Sequence, residues 1–238
     1  MSRSKIAIII TAAGSSTRIG GNIKKEYLPY KNGTVLSNCA IAFLKADYRK
    51  YDISNFVVTF PAGKISEAEK ALFSDTEVKK ILNSINLNIT FAEGGNSRQA
   101  SVFNALKTVK DSNTNPDLVL IHDGARPFIS EKVINDVVEA AEKFGASVPG
   151  VTPIDTQKEI DENGFIKRHL VRKNLMAVQT PQGFIFNKLY EAHVKAIDIS
   201  KEFTDDTEIW GQFCGNVKTV PGDVNNIKIT YPSDLERL

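Results

Sequence analysis

Cysteine is scarce in this sequence: 238 residues carry two, Cys39 and Cys214. They lie far apart and form no metal or redox spacing, so both are expected to be buried thiols in a reducing compartment. The three histidines, His122, His169 and His193, show no metal-ligand spacing with one another or with cysteine. No Ser-His-Asp or Cys-His nucleophile can be assembled from them. An excess of one charge is also missing. With 30 basic residues against 28 acidic ones and a net charge of +2, no global field points to nucleic acid or a membrane, and partners are expected to be small and locally bound. The first apolar run stops at Ile10, too short for a signal peptide or a membrane span. No internal repeat and no low-complexity tract interrupts the chain. The expected compartment is the cytoplasm. A content of 42% hydrophobic residues is enough for a large core, in one large domain or one domain with an insertion.

Residues 6–10 form a short β-branched apolar run of the kind found in a strand covered on both faces. Ala12, Ala13 and Gly14 follow it and keep side chains away, while Ser15, Ser16 and the loop's backbone N–H groups can donate to phosphate oxygens. Arg18, Lys24 and Lys25 bring cations to the same loop. That combination suits a nucleoside triphosphate; the plainer alternative is a tight turn with solvated cations. Two other phosphate loops are disfavoured. There is no Gly-Lys-Ser/Thr ending, and Gly14, Gly20 and Gly21 do not give the Gly-x-Gly-x-x-Gly spacing of a dinucleotide fold.

Strand-like runs recur at 6–10, 53–60, 87–91, 118–121 and 146–151. They alternate with helical spacing at 35–46, 64–72, 77–83, 98–109 and 131–144, the last with Ser130 as its expected N-cap. The expected fold is therefore α/β, a mostly parallel sheet covered by helices, with ligands beyond the carboxyl ends of the strands. From Thr152 to Leu175 the chain turns polar around Asp161-Glu162-Asn163-Gly164, which predicts a hairpin leaving the sheet, exposed or packed on a partner subunit. The arm, residues 152–176, is read as an insertion within a single domain of 1–238. Beyond it, helices are expected near 188–197 and after Thr204, a short strand at 217–220, the segment 226–230, and a terminal helix started by Ser233.

Several polar groups fall at strand ends. Gly94-Gly95-Asn96-Ser97-Arg98-Gln99-Ala100-Ser101 follows a strand and opens a helix, either as a ligand loop or as an ordinary turn capped by Asn96 or Ser97. His122-Asp123-Gly124-Ala125-Arg126-Pro127 brings a carboxylate and a guanidinium together. Asp123 can align a substrate hydroxyl or a metal and Arg126 can grip a phosphate, unless the two merely fix the turn. His122 is expected to pack at the strand end rather than act as a base. Thr204-Asp205-Asp206 reads as a helix cap with acidic first-turn residues. Lys228 stands in Ile227-Lys228-Ile229, within the segment 226–230, which alternates like a strand and would place it facing solvent. A surplus of cations, small donors and one well-placed Asp suits transfer at phosphorus, where catalysis is mostly positioning and charge stabilisation.

Taken in order, Ala-Ala-Gly-Ser-Ser-x-Arg, Lys25, Gly-Gly-x-x-Arg-x-x-Ser, Asp-Gly-Ala-Arg-Pro, Asp155-Thr156-x-Lys158, Thr180-Pro181-Gln182, Thr204-Asp205 and Asn226-Ile227-Lys228 closely resemble the 2-C-methyl-D-erythritol 4-phosphate cytidylyltransferases. The resemblance spans nearly the whole chain. It implies a homodimer of nucleotidyltransferase-type (Rossmann-like) α/β subunits, with a protruding β-hairpin arm for dimerisation, acting on CTP and a polyol phosphate in isoprenoid biosynthesis. By matching positions, Arg18, Lys25 and Lys228 would neutralise the triphosphate and the charge developing at the α-phosphorus. Ala12, Ala13, Gly95, Asn96 and Ser101 would frame the cytosine, and Asp123 would hold sugar-alcohol hydroxyls. Arg126, Thr156, Arg172, Thr180 and Thr204 would surround the methylerythritol phosphate, with Thr156 and Arg172 supplied by the partner's arm. Mg²⁺ would bridge CTP phosphates and need few protein ligands; no protein metal site is expected.

The sequence departs from the family pattern in two places. Its usual Pro-Lys-Gln is Lys24-Lys25-Glu26 here, which could shift the partner of Lys25, and Thr17 stands where many members carry a second Arg. The nearest rival resemblance is to ribitol 5-phosphate cytidylyltransferases, which tend to have Val where Ala125 precedes Arg126. A sugar-nucleotide-dependent glycosyltransferase is a more distant alternative, and the Asp-x-Asp motif that would hold its metal is missing after a central strand.

Overall fold

The computed structural model describes residues 3–14, 24–49, 51–199 and 201–237. Its centre is β1 (Ser4–Thr11), flanked by parallel β4 (Tyr51–Phe60) and β6 (Leu118–Asp123). Successive side chains of a strand point to opposite faces, and in β1 both faces are apolar. Ile6, Ile8 and Ile10 enter one core, and Ala7 and Ile9 the other. In β6, Leu118 and Leu120 divide from Val119 and Ile121 in the same way. This two-sided burial is why the strands read as continuous apolar runs rather than alternating ones.

Between β1 and β4 lie a two-residue ladder, β2 (Pro29–Tyr30) with β3 (Gly33–Thr34), and helix α1 (Val35–Lys45). Thr34 starts α1 by accepting from Ser37 N at 3.1 Å, while Ser37 Oγ accepts from Thr34 N at 2.8 Å; this reciprocal cap satisfies two free helix donors. Next come α2 (Ile65–Leu72), α3 (Thr76–Ile85), β5 (Ile89–Glu93), α4 (Arg98–Asp111), α5 (Glu131–Phe144) and β7 (Ala146–Val151). Helices α1 and α5 cover one face of the sheet, and α4 covers the other. Ser130 stands at the cap position of α5 but makes no side-chain cap bond.

The polar segment forms a hairpin, β8 (Lys158–Ile160) with β9 (Ile166–His169), outside the main sheet. Asp161 Oδ1 accepts from Asn163 N and Phe165 N at its turn. The chain then returns through β10 (Ala177–Val178) and β11 (Gln182–Ile185), passes through α6 (Phe186–Asp198) and α7 (Asp206–Phe213), and ends with β12 (Lys218–Pro221) and a 3-10 turn (Pro232–Arg237). The sheet order is β10-β7-β11-β6-β1-β4-β5, with β12 parallel to β7. Strand β11 runs antiparallel between β6 and β7, which makes the sheet mixed but mostly parallel, as expected.

Three expectations are corrected. Cys39 is buried, but Cys214 is exposed at the end of α7. Residues 226–230 form no strand; Ile229 N donates to Ala125 C=O at 2.9 Å, so the segment is pinned to the loop after β6 instead. The terminal helix is a 3-10 turn. Among the described residues, no helix is long and apolar enough to cross a membrane.

Candidate functional site

Strands β1, β4, β5 and β6 are parallel, so Thr11, Phe60, Glu93 and Asp123 end at one edge of the sheet, where a crevice ligand would sit. Asp123 is the last residue of β6 and is buried. Its Oδ2 lies 2.8 Å from Lys228 Nζ and 3.5 Å from Arg126 Nε, and Thr11 Oγ1 is 3.5 Å from Oδ1. Burial alone would push the Asp123 carboxyl up. The charges of Lys228, Arg98 and Arg126 outweigh that and hold it well below the usual carboxylate range. The residue pattern suggested a solvent-facing Lys228; the structure ties it to Asp123 and leaves its side chain 36% exposed at the mouth of the cluster.

Arg126 is held from behind, where its Nη1 donates to Asn226 C=O at 2.7 Å. Asn226 is buried and donates from Nδ2 to Thr180 C=O at 2.9 Å. Gly124 matters for a steric reason: its N–H reaches Thr11 C=O at 2.9 Å, and a Cβ there would lie 3.0 Å from the same oxygen. A larger residue would make the end of β1 give way by a few tenths of an ångström at the site.

The loops after β1 and β5 are ordered by the chain itself. Ala12 N donates to Thr59 Oγ1 at 2.9 Å, Gly95 N donates to Ser101 Oγ at 3.1 Å, and Ser101 Oγ donates to Ser97 C=O at 2.8 Å. The N–H groups of Ala12 and Gly95 are therefore already engaged within the chain, and buried Ser101 holds the loop from Gly95 to Ser97. Ser97, rather than Asn96, caps α4. Ala13 faces Gly94 so closely that a Cβ on Gly94 would come within 2.4 Å of its Cβ. Asn96 is exposed beside this loop, as is Gly14 at the end of β1. Lys25 opens the 3-10 turn Lys25–Tyr27, with Lys24 at its cap position. Lys24 reaches Gly14 C=O and lies 3.6 Å from buried Glu26. The two departures from Pro-Lys-Gln thus pair with each other. Ser15 and Arg18 lie outside the described residues.

Thr180 is buried, and its hydroxyl meets His122 Nδ1 at 3.0 Å and Asp123 N at 3.1 Å. Thr204 is exposed and gives both its N–H and its hydroxyl to Glu208 Oε2, next to Asp205, the cap of α7. Thr156 and Arg172 stand exposed on the arm, where Arg172 Nη1 donates to Ile154 C=O at 2.6 Å.

Motif reading assigned no role to Arg98. Arg98 Nη1 lies 2.8 Å from Oδ2 of fully buried Asp206, whose Oδ1 lies 3.0 Å from His193 Nε2. In the sequence Asp206 reads as an acidic first-turn residue and Arg98 as part of the glycine loop, far apart in the chain and with no local signal linking them. The network ties the start of α4 to α6 and α7. Removing one member of a buried pair strands the others. We expect Asp206→Ala to cost on the order of 3 kcal/mol or more of stability, read from the urea midpoint; a midpoint unchanged from wild type would contradict a stabilising role.

Burial lowers the His122 ring from 6.5 to about 4, against the opposing pull of the Arg126 carbonyl and Asp123. A depressed folded pKa contributes stability that is present above 6.5 and lost as pH falls from 6.5 towards 4, since the unfolded chain then binds the proton more readily. The difference is worth on the order of 3 kcal/mol. Thermal scans should show the melting temperature falling across that window, and His122→Phe should flatten the slope there. An equal slope in the variant would assign the loss to other groups.

The family model for 2-C-methyl-D-erythritol 4-phosphate cytidylyltransferase matches residues 6–237. A cytidylyltransferase of that name from Clostridium beijerinckii is 39% identical over 231 residues, covering 97% of this chain and 95% of the relative. Among solved structures, 2-C-methyl-D-erythritol 4-phosphate cytidylyltransferase from Thermus thermophilus aligns with a TM-score of 0.72 and 31% identity, over 100% of this chain and 97% of that one. The 4-diphosphocytidyl-2C-methyl-D-erythritol synthase of Anaerococcus prevotii aligns with a TM-score of 0.76 and 27% identity, over 98% of this chain and 94% of that one.

Proposed function

Because the chain belongs to the 2-C-methyl-D-erythritol 4-phosphate cytidylyltransferase family, we propose that it transfers the cytidylyl group of CTP to 2-C-methyl-D-erythritol 4-phosphate. An oxygen of the acceptor phosphate attacks the α-phosphorus of CTP, the bond to the β-phosphate oxygen breaks, and 4-diphosphocytidyl-2-C-methyl-D-erythritol and pyrophosphate are released. The observation that carries this reading is the cluster of Asp123, Arg126 and Lys228 at the carboxyl end of the central strands.

The acceptor phosphate is already an oxyanion at neutral pH, so no general base is needed. Lys228, Lys25 and Arg18 are assigned to the charge on the triphosphate and on the transition state. Ala12, Ala13, Gly14, Ser15, Gly95, Asn96 and Ser101 are assigned to the cytidine side. Asp123 is assigned to sugar-alcohol hydroxyls, and Arg126 and Thr204 to the acceptor phosphate side, with Thr180 behind them.

Thr156 and Arg172 are assigned to the neighbouring subunit's site, which requires a homodimer. The arm supports this, because Ile154, Phe165 and Ile160 stand 83%, 72% and 62% exposed on it. An apolar strip of that kind on a projecting hairpin suits burial against a second copy. The domain organisation follows, as one nucleotidyltransferase domain with the arm inserted at 152–176.

Among the described residues no group of three His, Cys, Asp or Glu could hold a metal ion by itself, and Asp123 is engaged by two cations. Mg²⁺ is therefore assigned to the CTP phosphates, where it would neutralise charge on the leaving pyrophosphate. CTP and polyol phosphates are charged metabolites of the cytoplasm, which is the proposed compartment. The test is nucleotide choice: with methylerythritol 4-phosphate and Mg²⁺, pyrophosphate should be released from CTP at least ~10-fold faster than from UTP, ATP or GTP. Equal rates would overturn the assignment of the cytosine pocket.

A further inference from the structure

We infer that His122 is a positioning residue: its ring, held as the neutral Nε2–H tautomer, clamps both ends of the Asp123–Arg126 turn and accepts a hydrogen bond from the Thr180 hydroxyl. The inference rests on the reading that Asp123 and Arg126 face the acceptor. The partners of the ring fix the direction of each hydrogen bond. His122 Nε2 lies 3.1 Å from Arg126 C=O, and a carbonyl can only accept, so Nε2 carries the hydrogen. Neutral imidazole then leaves Nδ1 as an acceptor, and its partner at 3.0 Å is Thr180 Oγ1, which must donate. Thr180 Oγ1 in turn accepts from Asp123 N at 3.1 Å. Arg126 N closes the turn on Asp123 C=O at 3.0 Å.

The ring is therefore spoken for at both nitrogens. It is fully buried and packed at 4.8 Å on the Phe43 ring, and its low pKa keeps it neutral at working pH. It has no lone pair to offer a substrate, which excludes a general base, yet it does more than fill space at the end of a strand.

The same chain of bonds changes the role of Thr180. A phosphate oxygen anion accepts hydrogen bonds, and the one hydroxyl proton of Thr180 goes to His122. Thr180 thus acts on the acceptor through Asp123 and Arg126 rather than by direct donation.

Nitrogen-15 spectra of the imidazoles in the intact protein read the tautomer without any substrate, and there are three histidines to assign. We expect one neutral ring, lost in His122→Phe or shifted in Thr180→Val, with a bare Nδ1 and a protonated Nε2. An Nδ1–H tautomer or an imidazolium at pH 7 overturns the inference. In steady state, Thr180→Val and His122→Phe should each raise KM for the polyol phosphate about 10-fold, with KM for CTP within about twofold. Thr180→Ser should stay within about threefold of wild type. The double variant should be no worse than about the poorer single one, because both break one chain of bonds. Multiplying effects, or a serine as damaging as valine, would show Thr180 acting independently and overturn the inference. The wild-type spectrum and the two Thr180 variants decide the matter even where His122→Phe does not fold. An inactive protein with the expected tautomer would count against the cytidylyltransferase reading and leave the clamp standing.

Discussion

Lys228→Ala lowers turnover by about 100-fold or more, the scale of losing one preorganised donor to transition-state charge. The expectation follows from where the ammonium sits. It is anchored at 2.8 Å on Asp123 Oδ2 while its side chain keeps an exposed side, so a fixed charge faces the crevice with donors left over. An anchored charge needs no reorganisation as the α-phosphorus gains negative charge, which a free lysine on a surface would. Alanine also removes the nearest cation from a buried carboxylate, so thermal unfolding must be measured beside kcat to separate lost chemistry from lost fold. Lys25→Ala is expected to fall on the same scale. Near-wild-type turnover in a folded Lys228→Ala protein would remove Lys228 from the catalytic group.

Arg172→Ala is expected to reduce kcat/KM for the polyol phosphate by about 100-fold, mostly through KM, as the loss of a charge-assisted phosphate grip would do. In one chain Arg172 is exposed and spends one bond on the Ile154 carbonyl within the arm; its assigned phosphate lies in the partner subunit. Mixed dimers test that exchange. Pairing an Arg172→Ala chain with an Asp123→Asn chain leaves one site with both defects and the other with neither. If the subunits mix at random, about a quarter of all sites are intact. With the polyol phosphate well below KM, where each variant alone is nearly inactive, activity should therefore return to about a quarter of wild type on mixing. No recovery, with heterodimers shown to form, would place arm and core of each site in the same chain.

The sheet was legible where burial on both faces wrote it into composition. Residues 146–151 were expected as a strand and are β7, and the runs around Ile6, Phe56 and Leu120 lie in β1, β4 and β6. Strand β11 was not legible, since Gln182-Gly183 opens it with a polar residue and a glycine, and only its antiparallel place between β6 and β7 gives it a ladder. Residues 226–230 failed in the opposite direction: Ile-Lys-Ile alternates like a strand, yet no ladder forms, because the segment is fixed by Asn226 and by the bond from Ile229 to Ala125.

The site divides in the same way. Asp123 and Arg126 were visible because they are close in sequence at the end of a strand. The role of Lys228 depends on a carboxylate far earlier in the chain, which periodicity cannot see; family motifs supplied it. Thr59 and Asn226 carry no local signal beyond a polar residue in an apolar stretch, and their work is done entirely by tertiary hydrogen bonds.

The identity of the acceptor decides the reaction. Pyrophosphate release from CTP and Mg²⁺ should be followed with methylerythritol 4-phosphate and ribitol 5-phosphate in parallel, with the products identified by mass. Release and a cytidylylated product are expected with methylerythritol 4-phosphate, and little with ribitol 5-phosphate. Release with ribitol 5-phosphate alone would keep the cluster of Asp123, Arg126 and Lys228 as the site of transfer but contradict the proposed reaction.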